Sequence, residues 1–311
     1  MRHLYKQVYL GILKILMSKE IIITGASGWL GRETIAKLGY DNYRLNLFSS
    51  KRSTLNIGGN EFLFDTLENL DLSKKYEGFI HLAHRTMDAV KQLGQANYVY
   101  ENLEITAKAA KAIEITRPNW VIVVSSGAIY QPLNQEITLD LDVNPYGFGK
   151  RIEELVFKDV CRISGSNLVI GRLWNTSGRF MIPNKAYAIS DFIQSALKNR
   201  SINIQANHDV FRKYVDAGQF MDILIQLAQR KNNTVLNSGG YMAEIGEVAK
   251  LVSEKIGLTS ILRPAYNGSP ASNYFSNDNT FNSTAKKLGV HLLSLGEQID
   301  LTLLGHREQL G

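Results

Sequence analysis

Tyr146 and Lys150 stand four residues apart in the run Asn144-Pro145-Tyr146-Gly147-Phe148-Gly149-Lys150. On a helix, residues i and i+4 share a face. An ammonium beside a phenol favours the phenolate and draws its pKa down from about 10 towards neutrality. A tyrosine so placed can serve as a general acid and base. Taken alone, the pair also fits an ordinary surface helix. Upstream, however, Trp120-Val121-Ile122-Val123-Val124 reads as a buried strand that runs into Ser125-Ser126. A hydroxyl at the carboxyl end of a central parallel strand sits where open α/β sheets bind ligands. Ser126 is therefore expected to hydrogen-bond the substrate oxygen that exchanges a proton with Tyr146.

A second constellation is Gly25-Ala26-Ser27-Gly28-Trp29-Leu30-Gly31, between an apolar strand at Glu20–Thr24 and a helical pattern. Gly25 permits the tight turn, Gly28 lets the backbone approach a pyrophosphate, and Gly31 lets helix and strand pack closely. The helix N-terminus then offers N–H groups and a partial positive charge to phosphates. The expected ligand is NAD or NADP. An acidic reader of the ribose would lie about 20 residues on. The second strand ends instead in Ser49-Ser50-Lys51-Arg52. Hydroxyls and cations accept a 2′-phosphate that a carboxylate would repel, so NADP is expected over NAD. The plainer alternative is that Lys51 and Arg52 are solvated loop charges.

These residues need a frame. Short apolar runs at Glu20–Thr24, Tyr43–Phe48, Glu61–Phe64, Gly78–Leu82, Trp120–Ser125 and Asn167–Leu173 alternate with helical stretches at Leu30–Leu38, Ala96–Ile115 and Phe148–Ile163. Near-continuous apolar strands are covered on both faces. The alternation predicts an α/β fold with a Rossmann-like, doubly wound parallel sheet. After Leu173 the loops lengthen, with helices expected near Ala188–Lys198, Ala217–Gln229 and Glu244–Ile256 and a strand at Thr234–Asn237. The expected organisation is an N-terminal extension at 1–17 and an NAD(P)-binding domain at 18–173. A smaller mixed region at 174–311 would mainly bind substrate, with 233–258 returning to the first domain.

The 311 residues are 44% hydrophobic and carry a net charge of +6. The basic residues are scattered, without the clustered, aromatic-interleaved patch of a nucleic-acid binder, so that function is set aside. Cys161 is the single cysteine, which excludes an intrachain disulfide and suits a reducing, cytoplasmic compartment. It reads as a small buried hydrophobe. No metal site is expected. Arg2, His3 and Lys6 before Val8–Leu16 superficially resemble a secretory signal, but Lys14 interrupts the stretch and no small-residue cleavage site follows. Met17-Ser18-Lys19 reads as a natural start, and no run of 18 apolar residues suggests a membrane span.

From about Lys19 to beyond Leu288 the sequence resembles the extended short-chain dehydrogenase/reductases, the nucleotide-sugar epimerase/dehydratase family. Thr24 to Gly31 matches its T-G-x-x-G-x-x-G, and Tyr146 and Lys150 match its Y-x-x-x-K. Ser126 matches its catalytic hydroxyl four residues before a tyrosine, Tyr130. The resemblance implies that Thr24, Ser27, Trp29 and Leu30 join the glycines at the cofactor, and that Asp65 approaches the adenine. Leu82 and Ala83 lie beside the cofactor in such enzymes, and Asn102 helps to order the site. It further implies that Lys150 holds the nicotinamide ribose, and that Asn175 and Arg212 face the substrate's phosphates. A homodimer through helices 96–115 and 146–163 is implied as well. Three departures stand out: Ser49 where NAD-type members carry an acid, Arg179 after Gly178 where proline is usual, and His84 where a small residue is usual. His84 reads as a variation of the cofactor loop more than as a functional histidine.

Dehydratases resembling this family carry Asp-Glu directly after the catalytic hydroxyl, because elimination needs an extra acid and base. Gly127 and Ala128 hold those places here. That leaves a 4-keto-sugar reductase or dehydrogenase, favoured by the NADP reading, or a 4-epimerase with tightly bound NAD. A non-catalytic NADP-binding sensor or scaffold is the alternative of another class.

Overall fold

A computed structural model describes residues 19–39, 43–131, 136–137, 139–183, 187–199, 201–257 and 260–310. The extension expected at 1–17 lies outside the described residues. In chain order the first elements are β1 (Lys19–Thr24), α1 (Trp29–Leu38), β2 (Tyr43–Phe48), β3 (Ser53–Ile57), β4 (Asn60–Phe64) and β5 (Gly78–His81). Helices α2 (Asp88–Leu93) and α3 (Gln95–Thr116), strand β6 (Trp120–Ser126), helix α4 (Pro145–Ser164) and strands β7 (Asn167–Leu173) and β8 (Asn175–Ser177) follow. Next come α5 (Ala188–Asn199), β9 (Ser201–Asn203), β10 (Val210–Asp216), α6 (Ala217–Gln229), β11 (Thr234–Asn237) and β12 (Tyr241–Glu244). The chain closes with α7 (Ile245–Ile256), β13 (Ser260–Leu262), β14 (Ser272–Tyr274), α8 (Thr280–Leu288) and α9 (Leu295–Leu310).

A six-stranded sheet runs in the order β11-β7-β6-β5-β1-β2. The registers of β1 with β2, β1 with β5 and β5 with β6 are parallel. The chain lays β2 on one side of β1 and β5 on the other. That reversal is the switch point at which open α/β sheets hold ligands beyond the carboxyl ends of their strands. The fold is α/β, Rossmann-like and doubly wound. Ile21, Ile22, Ile23, Phe79 and Ile80 are fully buried, as strands covered on both faces require. No helix among the described residues is long and apolar enough to cross a membrane.

Two compact units divide the chain. The first comprises the described residues of Met1–Val123, Glu153–Val169 and Ala228–Asn233. The second comprises those of Val124–Ile152, Ile170–Leu227 and Thr234–Gly311.

In the first unit, the Glu61–Phe64 run departs from the parallel pattern. It pairs antiparallel with β3 as a separate hairpin, Ile57 opposite Asn60. Gly58 and Gly59 make the two-residue turn, both with positive φ (60° and 88°), as hairpin turns of this length demand. Elsewhere in this unit Gly78 faces Trp120, where a Cβ would come within 2.5 Å of indole Cε2. Gly78→Ala is expected to lower stability by about 1–3 kcal/mol through overpacking of a buried ring. Urea denaturation measures it, and an unchanged midpoint would mean that the ring yields freely.

The second unit has its own core, in which Ile189, Phe192 and Ile193 of α5 pack with Val248 and Val252 of α7 and Ile299 and Leu303 of α9. Its central strand is β10. Residues Phe211–Tyr214 pair antiparallel with β12, Val210–Arg212 pair parallel with β14, and Tyr214–Asp216 pair parallel with β8. Cys161, in the first unit, is free and buried, and burial pushes its thiol up to about 12, so it is no nucleophile at ordinary pH.

Candidate active site

In the first unit a cavity of about 700 Å³ opens at the carboxyl ends of β1, β2 and β5. Thr24, Gly25, Ser27, Gly28, Ser49, Ser50, Leu82 and Ala83 line it, as do His81 and His84. Gly25 has φ +68°, and a Cβ on it would lie 2.5 Å from Ala83 N and 2.6 Å from Leu82 C. A Cβ on Gly31 would overlap the Ala26 carbonyl. Gly28 is exposed and caps α1 without a side-chain hydrogen bond, and the first turn of α1 carries no acid. The helix N-terminus is therefore uncapped by side chains and attracts anions. These features fit a dinucleotide pyrophosphate lying over the glycine turn.

The cavity's other predicted residues fall into place less uniformly. Among the described residues, Trp29, Leu30, Gly31, Arg52, Asp65 and Asn102 do not line it. Asn102 is buried and braces the β5 loop: its Oδ1 accepts from Arg85 N at 2.8 Å, and its Nδ2 donates to Tyr98 O at 3.0 Å. Asp65 accepts from Asn69 Nδ2 at 2.7 Å and Thr66 N at 2.8 Å. Those bonds, Asn69 foremost, hold its carboxyl below the usual range, and the charge of Arg52 adds to the effect. The Ser49 hydroxyl donates to Lys51 O at 2.5 Å, within its own loop.

Sequence reasoning assigns no role to Glu153, which is fully buried. Its Oε1 lies 3.0 Å from His81 Nε2 and 3.6 Å from His84 Nδ1. His81 Nδ1 is in turn 2.7 Å from Thr24 Oγ1. Beneath the cavity, one carboxylate oxygen thus lies close to two imidazole nitrogens, and one of these imidazoles is hydrogen-bonded to the last residue of β1. Nothing local in the sequence announces this, because Glu153 lies in an ordinary helical pattern far from His81.

The second unit holds the expected hydroxyl–phenol–ammonium set. Pro145 opens α4, where its missing N–H costs nothing. Asn144 caps the helix, its Oδ1 accepting from Gly147 N at 2.8 Å. The same side chain donates from Nδ2 to Ala128 O at 2.6 Å. A Cβ on Gly147 would overlap that carbonyl, so the first turn of α4 rests on the backbone just after Ser126. Tyr146 is half-buried in this turn. One turn on, Lys150 is buried and donates from Nζ to Val124 O at 2.9 Å. Ser126 is buried too, its Oγ accepting from Ala128 N at 3.1 Å.

Trp174 shapes the surroundings. Its ring stacks on Tyr130 (centroids 5.4 Å apart) and packs against Tyr274 (4.9 Å). Tyr130 also receives a hydrogen bond from Arg172 Nη1. A Cβ on Gly127 would overlap Trp174 Cδ2 and lie 2.5 Å from Cε3 and 2.6 Å from Cε2 of the same indole. No side chain fits at 127, which gives a steric reason for the absent Asp-Glu pair.

Asn175 and Arg212 both meet β14. Asn175 Nδ2 donates to Tyr274 O at 2.8 Å, and Arg212 Nη1 donates to Ser272 O at 2.9 Å. Burial pulls the Arg212 guanidinium below its ordinary pKa. Sequence reasoning misses Tyr274: it stands in a loop-rich segment without a motif and acquires its place through pairing with β10.

A dinucleotide-type glycine turn at the switch point of a doubly wound sheet defines the class. The NAD dependent epimerase/dehydratase family matches residues 21–239, and the chain belongs to it. It is thus an enzyme of the extended short-chain dehydrogenase/reductase type. A Methanocaldococcus jannaschii protein with the provisional name UDP-glucose 4-epimerase is 26% identical over 255 residues, covering 76% of this chain and 82% of its own. UDP-glucuronic acid decarboxylase 1 of Xenopus tropicalis is 23% identical over 270 residues, covering 77% of this chain and 61% of its own. The UDP-N-acetylglucosamine 4-epimerase of Methanobrevibacter ruminantium M1, solved with UDP-N-acetylmuramic acid, has the same fold. Its TM-score is 0.76 at 19% identity, covering 94% of this chain and 99% of the other.

Proposed function

We propose that the protein is a nucleotide-sugar 4-epimerase that uses NAD, with UDP-sugars as its substrates and Ser126, Tyr146 and Lys150 as its catalytic residues. The observation that carries this reading is the packing of Trp174 onto Gly127. Position 127 is thereby closed to the extra acid that elimination needs, and Tyr146 is left to exchange the proton, which suffices for epimerisation. The naming of the Methanocaldococcus jannaschii relative supports the substrate class.

Bound NAD would supply reversible two-electron redox chemistry, held by Thr24, Gly25, Ser27, Gly28, Leu82 and Ala83. Tyr146 takes the proton from the sugar's 4-hydroxyl and returns it after the ring has turned over. Lys150, anchored at the Val124 carbonyl, keeps the phenolate accessible by its charge. Ser126 donates to the 4-oxygen throughout. Asn175 and Arg212 are assigned to the nucleotide diphosphate. Holding the sugar by its nucleotide end lowers the entropic part of the barrier. A homodimer through the 96–115 and 146–163 helices belongs to the same proposal, with Tyr100 and Leu103 of α3 exposed on the first of them.

A second reading, a one-way NADP-dependent 4-keto-sugar reductase, is favoured by the carboxylate-free run Ser49–Arg52. Against it, Arg52 lies in the field of the Asp65 carboxylate and Ser49 is engaged with Lys51. The decisive experiment incubates the protein with UDP-glucose, UDP-galactose and their N-acetylamino counterparts, and separately with nucleotide-linked 4-keto sugars plus NADPH. Interconversion of 4-epimers without net nicotinamide consumption is expected. Stoichiometric NADPH oxidation would establish the reductase instead. Bound cofactor with no turnover of any sugar would establish the sensor.

A further inference from the structure

We infer that Glu68, by holding Lys108, makes the dinucleotide site select NAD over NADP, an assignment that rests on the NAD reading above. Enzymes with this glycine turn read the adenosine ribose at the end of the second strand, normally with an acid. Here that strand is followed by Ser49, whose hydroxyl donates to Lys51 O at 2.5 Å. The end of β2 is stitched instead to the segment after β4. Ser49 N donates to Asp65 O at 2.8 Å, and Asp65 N donates to Leu47 O at 3.0 Å. The Asp65 carboxyl accepts from Thr66 N and from Asn69 Nδ2, which holds the tight turn at Leu67–Asn69. Leu67 and Glu68 of that turn line the cavity together with Ser49 and Ser50. A carboxylate is thus brought to the ribose end of the cavity by strand pairing, with no acid at the position where sequence reasoning looks for one.

The partner of Glu68 comes from α3. Lys108 Nζ lies 3.0 Å from Glu68 Oε1 and 3.2 Å from Glu104 Oε1. Among the described residues, Arg85 and Lys108 are the arginine and lysine side chains that line the cavity, and Arg85 Nε donates to Glu101 Oε2 at 2.7 Å. Both cations therefore have carboxylate partners, and the lining carboxylates Glu68, Glu101 and Glu104 outnumber them. A 2′-phosphate would bring about two further negative charges. It could pair with Lys108 only in competition with Glu68 and Glu104, and once ionised it has no proton to give a carboxylate. A ribose 2′-hydroxyl has one, and an ionised carboxylate is purely an acceptor. Glu68 so favours the unphosphorylated ribose twice, by repelling a phosphate and by occupying the ammonium that would hold it.

Calorimetric titration of the full chain with NAD and with NADP tests this through the ratio of the two dissociation constants. Glu68→Gln keeps the size of the side chain and removes its charge, and at so exposed a position folding is expected to survive. The preference for NAD is expected to fall at least about tenfold, the scale of one charge pair a few ångströms apart near a protein surface. Glu101→Gln is the control, since it removes the same charge from the same cavity beside Arg85 instead of Lys108. It is expected to move the ratio by less than about twofold, a difference that only a local effect produces. Adding Lys108→Gln to Glu68→Gln is expected to restore most of the preference, because the released ammonium is the phosphate's partner. Equal shifts from Glu68→Gln and Glu101→Gln would overturn the inference, as would a double variant as relaxed as Glu68→Gln alone. If the unaltered protein binds NADP more tightly than NAD, the NAD reading fails and this inference with it. If it prefers NAD and Glu68→Gln leaves the ratio unchanged, the inference alone fails.

Discussion

Tyr146→Phe is expected to lower turnover about a thousandfold, within the range of removing a general acid/base, while cofactor affinity stays nearly unchanged. The substitution removes one oxygen and keeps the ring in the first turn of α4. That turn is set by Pro145, by the Asn144 cap and by the rest of Gly147 on the Ala128 carbonyl, none of which involves the phenol. Folding should therefore survive, and thermal denaturation checks it. Single-turnover measurements separate the chemical step from binding. Loss of kcat with KM unaltered is the expected pattern. A Tyr146→Phe enzyme that turned over at the normal rate would place the acid/base elsewhere, with the buried His81–Glu153 pair as the next candidate.

Gly25→Ala is expected to weaken dinucleotide binding by at least about tenfold, which corresponds to about 1.4 kcal/mol of lost fit. Two effects combine. At φ +68° an alanine costs about 1–2 kcal/mol of backbone strain. Its Cβ also meets main-chain atoms of Leu82 and Ala83, which cannot rotate away as a side chain can. The glycine turn and the β5 loop must separate, and both line the cavity. Gly59→Ala is the control, because it carries the same kind of strain (φ +88°) with no atom near its Cβ. Calorimetric titration with NAD should find Gly59→Ala unaltered and Gly25→Ala impaired. Equal affinities in the two would remove the glycine turn from the cofactor site.

The parts of this molecule that are legible in the sequence are those whose causes are local. The strands of the doubly wound sheet are apolar runs, and the glycine turn needs φ and space that only glycine supplies. The helix that begins at Pro145 announces itself through its cap and its proline. The hairpin β3–β4 departs from the parallel strand expected over Glu61–Phe64, although Gly58-Gly59 carries the signal of a two-residue turn. What stays hidden depends on distant pairing. Glu153 comes to lie behind the cavity's histidines only because α4 brings it to His81 of β5 and His84 of its loop. Tyr274 reaches Trp174 only because a three-residue strand takes its register from β10. Asn175 and Arg212 are legible as motif residues, but their grip on the 272–274 segment is not, since that segment has no pattern of its own.

The indole seated on Gly127 links two positions that are remote in sequence into a single choice of chemistry. An acid cannot enter at 127 while Trp174 remains, and shrinking Trp174 alone would leave a void beside Tyr130 and Tyr274. On the proposed epimerase reading, a change towards elimination would therefore have to alter both sites together. The sterics of one ring act as a ratchet against drift between the reactions this fold can host.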